Sequence, residues 1–230
     1  MANKRVLAVI TARGGSKRIP RKNLRKVGGQ TLLGRTVNAA LNSKIVDRCI
    51  LSSDCSEIID EALNYGCDVP FVRPLELATD KAKSEDVIEH ALNNITGFDW
   101  VLLLQPTSPF RTSGDIDSAF EILGQTKRNS CVGVERLGAK SEIKNQYLFR
   151  GDVLKAGAEK QLCSFKKQKK PFVLNGAIYI VRVSHFLRTK KIVDVDTVGI
   201  EMTKKASLDI DTFEDFAAAS KLMETQNEIR

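Results

Sequence analysis

A continuous apolar run, Val6-Leu7-Ala8-Val9-Ile10, passes almost directly into Arg13-Gly14-Gly15-Ser16-Lys17-Arg18. Such a run reads as a strand buried on both faces of a parallel sheet. The two glycines allow a tight turn and close approach of the backbone to a ligand. Arg13, Lys17, Arg18, Arg21, Lys22, Arg25 and Lys26 crowd seven cations into fourteen residues. Exposed amides and converging cations after a first strand suit a polyphosphate. A plain solvated basic loop is the competing reading. The loop is neither GxGxxG nor GxxxxGK[ST], since no third glycine comes before Gly28 and Ser16 precedes Lys17.

The rest of the chain alternates strand and helix. Helical spacing covers 31–41, with Leu33, Val37, Ala40 and Leu41 on one stripe. A strand is expected over 45–52, a helix over 56–65 stopped by Gly66, and a short edge strand at Val69-Pro70-Phe71-Val72. Ser84 reads as the N-cap of a helix reaching Asn94. Trp100–Leu104 is the most apolar strand. A helix over 115–125, strands at 130–134, 175–181 and 198–202, and a helix over 213–223 complete the pattern. The alternation predicts right-handed crossovers and a Rossmann-like, mainly parallel α/β sheet with helices on both faces. Residues 137–174 break the pattern, being polar, irregular and basic.

With 230 residues, 42% hydrophobic, one domain with a sizeable core is expected over 1–230. The net charge of +8 favours anionic partners. No apolar stretch is long enough for a membrane span, and the early return of basic residues argues against a signal peptide. Cys49, Cys55, Cys67, Cys131 and Cys163 are odd in number and form no CxxC, so a disulfide framework or zinc site is not expected and a cytoplasmic setting is. His90 and His185 read as structural. With 6% aromatics and no recognised binding motif, a nucleic-acid module is the weaker alternative.

Four further segments matter for function: Arg73 with Ser84, LQPTSPFR (104–111), NGAIYI (175–180) and SLDIDTFEDF (207–216). Together with RGGSKRIPRKN (13–23), they resemble the motifs of the CMP-sugar synthetases, the cytidylyltransferases that activate sialic acids and related nonulosonic acids. The resemblance implies a transferase using CTP and a nonulosonic acid (sialic acid, legionaminate, pseudaminate or Kdn). Its products are a CMP-sugar and pyrophosphate. 3-Deoxy-manno-octulosonate stays open as another sugar acid.

By resemblance, the loop residues Arg13, Gly14, Gly15, Ser16, Lys17, Lys22 and Asn23, with Arg73 and Ser84, hold the nucleotide. Arg13 and Lys22 also serve transfer, and Gln105, Arg111, Asn175 and Tyr179 face the sugar. Lys140 and Lys144 both fit the family's sugar-binding lysine. Residues 137–174 correspond to a small lobe that makes a homodimer. Ile192-Val193 stand where some members carry an aromatic pair.

Asp209 and Asp211 alternate with Leu208 and Ile210, so in an extended segment both carboxylates point one way. Spacing alone also allows Asp211 as an N-cap with Glu214 in a capping box. The resemblance makes the pair a Mg²⁺ site.

Overall fold

The computed structural model describes residues 4–137, 147–150, 153–156 and 171–227. The first strand, β1 (Val6–Thr11), is followed by the cationic loop and a small hairpin, β2 (Lys26–Val27) and β3 (Gln30–Thr31). Helix α1 (Leu32–Leu41), β4 (Arg48–Ser52), α2 (Ser56–Asn64), α3 (Ser84–Asn94), β5 (Trp100–Leu104) and α4 (Ser113–Thr126) come next. The second half holds β6 (Ser130–Arg136), β7 (Tyr147–Arg150), β8 (Val153–Ala156) and β9 (Phe172–Arg182). Helix α5 (Val183–Thr189), β10 (Thr197–Glu201) and α6 (Phe213–Asn227) end it.

The main sheet has the order β4-β1-β5-β9-β6-β10-β8-β7. β1 is parallel to β4 and β5, and β10 is parallel to β6. β9 is antiparallel to both β5 and β6, so it alone reverses direction among the six strands from β4 to β10. The expected mainly parallel α/β sheet is what forms, with that one reversed strand at its centre.

Alternate side chains build the two faces. Val6, Ala8, Ile10, Leu102 and Ile180 pack with Leu33 and Val37 of α1, Ala62 of α2 and Ile116 of α4. Leu7, Val9, Val101 and Leu103 pack on the other face with Ile88 and Ala91 of α3 and Phe186 of α5. A third cluster joins Ile19, Val27, Leu32, Phe110, Ile210 and Ala219. It fastens α6 and the segment before it to the cationic loop.

Several local expectations shift. Leu41 leaves the buried stripe and is 47% exposed. Residues 69–72 form no strand. Only Asp68 bridges to Ile50, and Pro70 has no N–H to extend the pairing. Ser84 is the first residue of α3 rather than its cap, which is Lys83, and the Asp86 carboxylate accepts from the Lys83 amide at 3.4 Å. The strand expected to open at Asn175-Gly176 starts three residues earlier, at Phe172, so the pair lies inside β9. Val132 opposes Tyr179 while Val134 opposes Leu174, so β9 bulges between them.

Cys49 and Cys131 are buried core thiols, as expected. Cys49, Cys55, Cys67 and Cys131 are all free. His185 is buried and bonded to Asp194 at 2.7 Å, a structural role. The 137–174 lobe falls largely outside the described residues, as do Lys140, Lys144 and Cys163. Within it, β7 and β8 pair antiparallel. Among the described residues, no helix is long and apolar enough to cross a membrane.

One glycine is fixed by packing. A Cβ on Gly34 of α1 would lie 2.3 Å from the Tyr65 ring. Gly34→Ala is expected to lower stability by about 1–3 kcal/mol, the scale of overpacking. Urea unfolding checks this, and the double variant with Tyr65→Ala should recover part of the loss.

Candidate active site

A cleft of about 630 Å³ opens at the carboxyl ends of β1 and β5. This is where ligands settle in open α/β sheets. The cationic loop forms one wall through Arg13, Ser16, Lys17, Arg18, Lys22 and Asn23. Gln105, Pro106 and Thr107, from the loop after β5, form another. Asp80, Asp209 and Asp211 also line it.

The loop is held from several sides. Asn23 is buried and donates through Nδ2 to the Arg13 carbonyl at 3.1 Å. Arg21 takes a left-handed backbone (φ 55°) and turns the chain into the short 3-10 segment Lys22–Leu24. Its guanidinium pairs with Glu57 at 2.6 Å. The glycines act differently from expectation, because neither Gly14 nor Gly15 is left-handed. A Cβ on Gly14 would come within 2.9 Å of the Cys55 Cβ, so Gly14 permits close approach to the start of α2. The Gly14 amide is donated to Asp54 Oδ1 at 3.0 Å and is therefore committed inside the protein. Gly15 faces open space.

Every cation of the loop wall already meets a carboxylate. Arg13 Nη2 lies 2.5 Å from Asp80 Oδ1, and Lys17 Nζ lies 2.6 Å from Asp80 Oδ2. Lys22 Nζ donates to Asp211 Oδ1 at 3.1 Å and to the Ile210 carbonyl at 2.8 Å. Arg18 reaches Asp211 Oδ2 at 3.4 Å. Lys22 is the most enclosed of these, its side chain 15% exposed. The salt bridges from Lys17 and Arg13 hold the Asp80 carboxyl down at about 2.

The paired aspartates are presented as the alternation predicts. Ile210 is fully buried and its amide donates to the Thr107 carbonyl at 2.8 Å. Leu208 packs on the same cluster. Both carboxylates then face the cleft. Asp209 is reached by solvent through the cleft mouth, but its carboxyl lies deep enough that desolvation raises its pKa; the Thr107 hydroxyl opposes the rise and Asp211 adds to it.

Asp211 is not the cap of α6. Thr212 is: its Oγ1 accepts from the Asp215 amide at 3.3 Å, and Asp215 Oδ2 accepts from the Thr212 amide at 2.8 Å. The capping box sits one residue later than the sequence alternative and leaves Asp211 free for the cleft. Among the described residues no group of three or more His, Cys, Asp or Glu could enclose a metal. Two carboxylates on one wall fit a hard cation that takes its remaining oxygens from substrate and water, as Mg²⁺ does.

Other expected residues stand back from the cleft. The Arg73 side chain is buried and donates to the Ser52 hydroxyl at 2.9 Å and to the Ser52 carbonyl. Burial lowers it to about 10. Ser84 starts α3. Arg111 is buried and donates to the carbonyls of Ala177 at 2.8 Å and Gln105 at 3.2 Å, which ties the loop after β5 to β9. Its Nε and Nη2 have no hydrogen-bond partner among the described residues. Asn175 is buried, donates to the Ser207 hydroxyl at 3.0 Å and accepts from the Ala177 amide. Tyr179 is pushed up to about 12 by burial, with Asp209, Tyr147 and Glu85 adding. Ile192 sits in this chain's own core, and Val193 packs beside Tyr179.

Two contributors escaped the sequence reading. Asp80 is one of several acids between Glu76 and Glu89 and carries no motif of its own. Gly176 is left-handed (φ 75°), and a Cβ there would approach Gln105 Oε1 to 3.1 Å and Asp209 Oδ2 to 4.0 Å. Its only signal was the Asn-Gly pair, which reads equally as a turn.

The model of the cytidylyltransferase family matches residues 7–229, so the match takes in the loop, the wall after β5 and both aspartates. The chain belongs to the cytidylyltransferase family. Among curated relatives, this cytidylyltransferase is 36% identical to the CMP-N,N'-diacetyllegionaminic acid synthase of Legionella pneumophila, covering 97% of this chain and 98% of that protein. It is 35% identical to the N-acylneuraminate cytidylyltransferase of Escherichia coli, covering 97% of this chain but 53% of that longer protein. Among solved structures, a CMP:2-keto-3-deoxy-manno-octonic acid synthetase complexed with CTP superposes with a TM-score of 0.77 at 14% identity, over 97% of this cytidylyltransferase and 100% of that chain. At that identity the likeness concerns the fold.

Proposed function

We propose that this cytidylyltransferase joins CTP to a nonulosonic acid, giving a CMP-sugar and pyrophosphate. The observation that carries the reading is the cleft itself, where Arg13, Lys17, Arg18 and Lys22 converge opposite two aspartates two residues apart. The anomeric hydroxyl of the sugar acid attacks the α-phosphorus and loses its proton to water; the new O–P bond forms as the bond from the α-phosphorus to the bridging oxygen breaks, and that oxygen leaves with pyrophosphate. Alignment and neutralisation of charge on the leaving pyrophosphate are the main demands of such a step. The loop cations meet the phosphates. Gln105, at the cleft wall, orients the sugar acid. Asp209 and Asp211 are the residues that would hold Mg²⁺, which when bound screens the phosphate charge and polarises the attacked phosphorus.

A diacylated nonulosonate of the legionaminate kind is the substrate proposed first. Its support is the relative that this chain matches from end to end. The test is pyrophosphate release with CTP, Mg²⁺ and a panel of N,N'-diacetyllegionaminate, pseudaminate, N-acetylneuraminate, Kdn and 3-deoxy-manno-octulosonate. Turnover should be highest with the first. Release with the octulosonate alone would overturn the substrate class, and release with none would overturn the reaction.

We also propose a homodimer, on the strength of the polar 137–174 excursion. Sedimentation at micromolar concentration should give about twice the 25.5 kDa of one chain. A monomeric mass with full activity would overturn it.

A further inference from the structure

Asp80 carries no assigned role, yet it is the carboxylate to which two cleft cations are tied. It belongs to the stretch between the short 3-10 turn Leu75–Ala78 and α3. Arg13 meets it at 2.5 Å and Lys17 at 2.6 Å, one cation on each oxygen. Arg13 also reaches the neighbouring Ala78 carbonyl at 3.5 Å. The Lys17 side chain is 81% exposed, and Asp80 is its one ion-pair partner among the described residues. A carboxylate oxygen and a phosphate oxygen make the same charge-assisted bond with these donors, at the same distance. Asp80 and Asp211 thus each hold two of the four cleft cations from within the protein. Their fates differ when a metal-bound triphosphate enters. Asp211 becomes a ligand on the reading given above. Asp80 pairs with no other cation among the described residues.

We propose that Asp80 is an internal stand-in for the polyphosphate: it pairs with Arg13 and Lys17 at the cleft wall, gives them up to an incoming triphosphate, and takes them back as pyrophosphate leaves. The idea rests on the cleft being the nucleotide site. Exposed ion pairs of this kind are weak, so a polyanion displaces Asp80 readily. The same carboxylate then opposes retention of the product. Asp80 is on this account a positioning residue, acting through the two cations and not on the reacting atoms.

The experiment uses the full chain, the variants Asp80→Asn and Asp80→Ala, and two probes, CTP and inorganic pyrophosphate. Binding is followed by calorimetry, and pyrophosphate inhibition by initial rates. Asp80 is half-exposed, so both variants should melt close to the parent protein. Both should bind pyrophosphate roughly threefold to thirtyfold tighter, the range that removing two exposed ion pairs allows. KM for CTP should fall in parallel, while kcat does not rise. A parent protein that binds both probes, with variants that bind pyrophosphate equally or more weakly, overturns the role of Asp80 and leaves the nucleotide site standing. A parent protein that binds neither probe overturns both.

Discussion

Lys22→Ala is expected to slow cytidylyl transfer by about thirtyfold to several thousandfold, at saturating as well as at low CTP. The range follows from the cost of removing one enclosed, hydrogen-bonded charge, about 2–5 kcal/mol, at 1.4 kcal/mol per factor of ten. Lys22 stands out from its neighbours because its amine lies largely out of solvent and bonds to both Asp211 and the Ile210 carbonyl. Truncation removes a cation from the phosphates and also loosens the segment that carries the aspartates. Arg18→Ala should cost far less, since Arg18 is 71% exposed and its contact with Asp211 is 3.4 Å long. Initial rates across a CTP series, with melting temperatures, check both. A near-normal rate in Lys22→Ala removes this lysine from the site.

Asp209→Asn and Asp211→Asn are expected to reduce transfer by a hundredfold or more and to raise the Mg²⁺ concentration needed for half-maximal rate. Losing a metal ligand withdraws charge stabilisation on a scale of several kcal/mol. Neither carboxylate caps a helix, so melting temperature should change little. Thr212→Ala gives the contrast. It removes the hydroxyl that caps α6 and should cost about 1 kcal/mol of stability with the Mg²⁺ dependence unchanged. A Mg²⁺ titration of all three, beside their melting curves, separates a metal role from a helix-cap role. Unchanged Mg²⁺ dependence in both aspartate variants defeats the assignment.

These variants rest on residues whose placement the sequence largely disclosed. Val6–Ile10 could be read because five buried apolar residues ending in Gly-Gly and cations have few other uses. The alternation around Asp209 and Asp211 showed which side chains share a face. Direction was hidden: an apolar run, whether Trp100–Leu104 of β5 or 177–181 of β9, says nothing about which way a strand points. The Asp211 cap stood as an alternative because Asp211–Glu214 and Thr212–Asp215 offer the same polar spacing, and the structure uses the second pair. Arg111 and Asn175 illustrate a deeper difficulty. A polar residue in a motif looks the same whether its partner is a ligand or a backbone carbonyl, and here both are bonded inside the fold. Asp80 was hidden because its partners lie more than sixty residues away in sequence.

The reversed strand bears on how this protein can diversify. β6 and β9 run antiparallel side by side, and the Leu137 amide donates to the Pro171 carbonyl at 2.8 Å. The chain therefore leaves β6 and returns to β9 at adjacent points, as across the mouth of a hairpin. For such a closed excursion the entropic cost grows only with the logarithm of length, about 0.6 kcal/mol for each doubling. A parallel β9 would instead have required a crossover spanning the sheet. Insertions and deletions outside β7 and β8, in 138–146 or 157–170, thus leave the register of β6 and β9 in place, so that these connections can lengthen or shorten between lineages while the cleft at the ends of β1 and β5 is inherited unchanged.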